Sequence, residues 1–145
     1  MSPLDSLLEE WKKDSRIDAT DLTNESQRIY DLHSKYIAKW AEERLRLKAL
    51  DFEIKRLKLN KRQFYIDGPD EESKRKGWEY PVKGKVLVQE LPLYLDADKE
   101  LQNRQSTYEV VNTRLQALEF IMDMIKYRGT VIGKMISREQ WMSGT

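Results

Sequence analysis

The hydrophobic positions fall into three helical stretches separated by a polar joint and an irregular middle. Near the start, Leu4, Leu7, Leu8 and Trp11 share one helical face. Ser2 stands as N-cap, Pro3 at the first helical position, and Asp5 where it can reach back to the cap. Residues 14–20 form the joint, in which Asp18 or Thr20 is expected to cap a second helix. That helix is predicted over residues 21–65, a span without glycine or proline. Alternating steps of four and three from Leu22 give Ser26, Ile29, His33, Tyr36, Trp40, Glu43, Leu47, Leu50, Ile54, Leu57, Lys61 and Phe64. From Tyr36 onward this is close to a heptad seam. A second apolar line, Leu45, Phe52 and Leu59, repeats every seven residues on the far side. Burying both lines requires a partner on each side, which points to an oligomer.

Residues 68–95 break the periodicity and hold three of the four prolines and three of the six glycines. Residues 85–89 carry a weak strand signal, and part of this loop, where Asp70, Glu71 and Glu72 give way to Lys74, Arg75 and Lys76, is expected to be mobile. Asp96 is expected to cap a third helix running to about Trp141, with Asp98 and Glu100 near its positive end. Its seam is Leu101, Arg104, Tyr108, Val111, Leu115, Leu118, Met122, Ile125, Gly129, Ile132 and Ile136. Ala117, Ile121, Met124, Val131 and Met135 lie beside it, and Gly129 is expected to bend or interrupt it. So broad and methionine-rich a band reads as an association surface. Leu115, Leu118, Ile121, Met122, Ile125, Ile132, Met135 and Ile136 are its expected contacts. The competing reading is a plain intramolecular core. The expected architecture is therefore all-α, a single domain over residues 1–145 that forms a ring. Residues 1–66 supply N-terminal helices and a basic stretch, 67–95 a loop, and 96–145 the oligomerising helices.

Composition narrows the function. Charged residues make up 35% of the 145 and the net charge is only +1, so any attraction for nucleic acid must be local. No cysteine is present, which removes disulfides and thiolate chemistry. The N-terminal stretch mixes acids with leucines and does not read as a signal peptide, and no apolar run approaches a membrane span. An intracellular protein is expected. His33, the only histidine, reads as a packing residue of the seam. Asp96, Asp98 and Glu100 imitate a calcium loop, but Leu101 stands where glycine is required. Residues 77–86 miss the phosphate-loop spacing. Neither a catalytic group nor a cofactor or metal is expected.

Charge concentrates in one place. Between Arg44 and Arg62 eight cations face Asp51 and Glu53, a local charge of +6. Lys48, Lys55 and Arg62 repeat every seven residues, with Arg56 alongside, and Lys58 and Lys61 flank the seam just before Phe64 and Tyr65. Cations beside flat rings suit a single-stranded nucleic acid, through phosphate neutralisation and base stacking. These eight residues are the candidate DNA-binding set. A solvated charged face, or a helical adaptor that binds only protein, is the bland alternative.

The segments "LLEEWKKDSRIDATDLTNES", "LKLNKRQFYIDG", "LDADKEL" and "IKYRGTVIGKMI" occur here in an order that resembles the UvsY family of recombination mediators from T-even-type phages. The likeness is colinear over nearly the whole chain, weakest across residues 69–93. The resemblance implies a homo-oligomeric ring, hexameric or heptameric, assembled largely through the C-terminal helix. It also implies binding to single-stranded DNA, to the phage single-stranded-DNA-binding protein and to the phage recombinase, in the cytoplasm of the infected host. Aligned on Phe64 and Tyr65, the family's Lys-x-Arg pair places its arginine on Lys61 and its lysine on Leu59, with Lys58 and Arg62 beside it.

Overall fold

The computed structural model describes residues 2–144. Ser2 and Asp5 form the expected capping box, the Ser2 hydroxyl accepting from the Asp5 N–H at 3.1 Å, and helix α1 runs Pro3–Asp14. Helix α2, Leu22–Asp67, begins at Asp21 instead of Asp18 or Thr20: the Asp21 carboxylate accepts from the Asn24 N–H at 3.3 Å. Asp18 is spent on a tight turn, accepting from both the N–H and the hydroxyl of Thr20. Gly68, at φ +89°, ends α2 by sending its N–H back to the Phe64 carbonyl, a left-handed C-cap suited to glycine.

The irregular middle is more helical than its sequence suggests. It contains α3, Glu71–Arg75, a 3₁₀ turn Val88–Glu90, and α4, Leu91–Ala97. No strand occurs among the described residues. Over 85–89 the Val86 N–H donates to the Tyr80 hydroxyl at 3.0 Å, a side-chain bond where a sheet would supply a ladder. The last helix, α5, spans Lys99–Met142 and runs through Gly129 without a break. A Cβ at Gly129 would sit 3.6 Å from the Ile29 side chain, an ordinary contact, so nothing there forces a bend. Asp98, not Asp96, caps it by accepting from the Leu101 N–H at 3.0 Å.

The chain folds as two compact units, Met1–Leu45 with Val111–Thr145, and Arg46–Val110. In the first, Leu7, Leu32, Tyr36, Leu118, Ile121 and Ile125 form the core, with Trp11 edge-on to Tyr36 at 5.5 Å. In the second, Phe64, Tyr65, Val86 and Leu91 are buried together, with Trp78, Tyr80 and Tyr94 packed against them. The seam of α2 holds from Tyr36 to Phe64, every member buried or half-buried. Upstream, Leu22 is buried and Ile29 packs on the core as expected, but the seam position after each shifts by one: Glu25 and Leu32 are buried, while Ser26 is exposed and His33 half-buried. Glu25 can occupy a core position because Arg128 reaches it at 2.7 Å and Arg28 at 3.1 Å.

The expected association residues are largely core of the chain itself. Leu115, Leu118, Ile121, Ile125 and Ile132 are buried within the protomer; Met122, Met135 and Ile136 are half-buried. Helix α1 supplies the extra cover the broad band needs, through Leu7 and Trp11. What α5 leaves exposed is a different set, Val110, Phe120, Met124, Tyr127, Trp141 and Met142. No helix among the described residues is long and apolar enough to cross a membrane.

Candidate nucleic-acid interface

A helix turns 100° per residue, so positions seven apart drift by only about 20° and rise about 10.5 Å. Lys48, Lys55 and Arg62 therefore form a line along α2, and all three are exposed. Arg56 and Lys58 are exposed on either side of it. The two acids of the stretch do little to cancel this charge. Asp51 meets Lys55 at 3.0 Å, but that lysine side chain is 70% exposed, and a solvated pair of this kind is weak. Glu53 is turned to Arg104 of α5, at 3.4 Å.

Lys55, Lys58, Leu59 and Arg62 form one wall of a groove of about 530 Å³, whose other side is Val88, Leu91, Pro92, Leu95 and Asp96. That second wall follows from local sequence. Pro92 lies in the first turn of α4, where a missing N–H costs nothing, and Leu91 is buried in the cluster around Phe64. Tyr80 holds the preceding loop in place: its hydroxyl donates to the Tyr65 carbonyl at 2.7 Å and accepts from Val86.

Three members of the sequence-derived set are not on this surface. Lys61 is 5% exposed, Phe64 5% and Tyr65 7%. The Lys61 ammonium lies 3.0 Å from Asp98, 3.2 Å from Glu100 and 4.1 Å from the centre of the Trp78 ring. The Tyr65 hydroxyl donates to Asp98 at 2.6 Å, and the Trp78 indole N–H to Glu100 at 2.8 Å. Burial alone would raise the Asp98 carboxyl; hydrogen bonds from Tyr65, the Leu101 N–H and Lys61 outweigh it and hold the group below its ordinary value. Burial, then the bond to Asp98, pushes the Tyr65 hydroxyl up. The chemistry of this cluster is that of a structural knot, joining α2 to the start of α5. Phe64 stacks edge-on against Trp78 and Tyr80, at 5.4 and 5.5 Å, and offers no open face to a base. Lys61 and the two rings are thus removed from the expected contact surface by the loop that folds over them.

The surface includes residues that reading by charge passed over. Phe52 and Leu59, assigned from their spacing to an oligomer contact, are each 56% exposed in the midst of the cations. Lys48 lies 6.0 Å from the centre of the Phe52 ring. The signal was present in the sequence: both residues fall between members of the basic line.

A family profile described as "Recombination, repair and ssDNA binding protein UvsY" matches residues 10–145. The chain belongs to the UvsY family. Three crystal structures of the bacteriophage T4 recombination mediator protein UvsY share the fold. Lattice type IV aligns with a TM-score of 0.81 at 23% identity, over 97% of this chain and 99% of that one. Lattice type II gives 0.81 at 24%, over 99% of each. Lattice type I gives 0.78 at 24%, over 94% and 98%. No curated protein matches the sequence. Within a UvsY-type fold, the exposed cations and the groove are carried by the second unit alone.

Proposed function

We propose that this UvsY-family chain binds single-stranded DNA along the outer face of α2. In this reading it helps a phage recombinase assemble on strands already covered by single-stranded-DNA-binding protein, in the cytoplasm of the infected host. The observation that carries the reading is the exposed line of Lys48, Lys55 and Arg62 beside the groove that also presents Lys58. Cations spaced along a helix, with only the solvated Asp51 among the described residues paired to them, at Lys55, are placed for a row of phosphates. The chain acts by binding and performs no bond chemistry: its buried ionisable pairs, Glu25 with Arg128, Glu43 with Arg114 and Lys61 with Asp98, are taken up in holding the helices.

Magnitude supports an assembly. Three or four phosphate contacts give a salt slope of only about −0.7 each and weak binding at physiological salt. Linking several copies raises apparent affinity by about 10²–10⁴-fold through effective concentration. A ring of six or seven copies meets that need, and the exposed apolar residues of α5 supply the contact. Replacing Phe120 and Tyr127 together by aspartate is expected to shift sedimentation to smaller species while leaving helicity intact; an unchanged mass would remove α5 from the assembly.

The mediator role is tested on DNA pre-coated with the binding protein. Adding the chain should shorten the lag before recombinase filaments form. A lag unaltered at every concentration contradicts mediation. Failure to bind bare oligonucleotide at low salt favours the alternative, an adaptor that touches only protein.

A further inference from the structure

Phe52 and Leu59 have no structural reason to be apolar within the chain. Each is 56% exposed, and neither belongs to either buried cluster. Their setting is regular. Phe52 is four residues after Lys48 and three before Lys55; Leu59 is four after Lys55 and three before Arg62. At 100° per residue, each apolar side chain sits about 40° round the helix from one cation and about 60° from the next. An apolar line therefore runs parallel to the basic line, and at Leu59 it enters the groove beside Val88 and Pro92.

Resting on the single-strand reading above, we propose that the bases of the bound strand lie on this apolar line. Phe52 is the stacking platform, and the phosphates follow Lys48, Lys55 and Arg62. A single strand offers this pairing of charges and flat apolar faces side by side, and every base has a face to stack. A second copy of the chain presenting the same face is disfavoured, because it would bring five exposed cations against the same five. Phe64 and Tyr65 cannot serve as the platform, since both are buried.

The test compares a labelled oligothymidylate with an abasic strand of equal length, which keeps the phosphates and loses the bases. Phe52→Ala is expected to weaken binding of oligothymidylate about 5- to 150-fold, the range for one lost stacking contact. It should leave both the salt slope and abasic-strand binding unchanged, and Phe52→Tyr should restore the loss. Several results overturn the proposal while the single-strand reading stands: no loss with Phe52→Ala, an equal loss on both strands, or a fall in assembly mass that shows the face to be a contact between copies. If the unaltered protein binds neither strand at low salt, the single-strand reading itself falls, and the two failures are told apart by that control.

Discussion

Lys61→Ala is expected to cost the protein about 3–5 kcal/mol of stability, read as a lower urea midpoint. The size follows from what remains. The lysine side chain is 6% exposed, and its removal leaves the Asp98 carboxylate, 5% exposed, without its cation. Asp98 also caps α5 and accepts from Tyr65, so it cannot turn to water without loosening both. The same knot sets the acid response. The folded Asp98 carboxyl lies below its ordinary value, as does that of Glu25. Each therefore contributes stability that is present above the unfolded value of about 4 and lost as pH falls through the folded one. At the other end, the Tyr65 and Tyr36 hydroxyls are raised by burial and by their carboxylate partners, Asp98 and Asp14. Their contribution is complete below about pH 10 and declines as pH climbs above it. The urea midpoint should thus fall on both flanks, and Lys61→Ala should narrow the acid one.

Arg128→Met is expected to be of similar severity, about 3–5 kcal/mol, through the first unit. The guanidinium donates to Glu25 at 2.7 Å and to the carbonyls of Ser15 and Arg16 at 2.5 and 2.7 Å. It shares this work with Arg28, which bonds Glu25 at 3.1 Å and the Asp14 carbonyl at 2.8 Å, but Arg128 is the one of the two that ties the joint between α1 and α2 to α5. Arg128→Lys should recover only part of the loss, because an ammonium cannot span three acceptors set for a planar fork. Hydrogen exchange across residues 15–25 is the direct readout. Protection unchanged in Arg128→Met would show that the joint is held by other contacts.

These buried pairs mark where the sequence could and could not be read. The short first helix and the two long ones were legible because apolar residues recur at helical spacing, and the α2 seam from Tyr36 to Phe64 followed from that alone. Upstream the reading is right at Leu22 and Ile29 but slips by one residue at Ser26 and His33, since a glutamate in the core at position 25 makes sense only with Arg128, from a distant part of the chain. Lys61 was visible in the seam as a cation, but its partners, Asp98 and Glu100, come from beyond an aperiodic loop. That loop also closes over Phe64 and Tyr65 through Trp78, Tyr80, Val86 and Leu91, turning an apparent stacking pair into core. The breadth of the α5 band reads as an association surface, but α1 covers part of it within the same chain, a contact no periodicity announces. The exposed basic line survives all of this, because a seven-residue repeat of cations opposite the seam has nowhere to go but solvent.

The central claim is a division of labour: exposed cations of α2 hold the strand, while the buried one holds the fold. It is tested by oligonucleotide affinity across a range of salt for the unaltered protein and for Lys55→Gln, Lys58→Gln and Arg62→Gln combined. The account predicts a slope shallower by about 2 for each engaged protomer, at about 0.7 per lost contact, with the urea midpoint nearly unmoved. A folded triple variant whose slope matches that of the unaltered protein would contradict it.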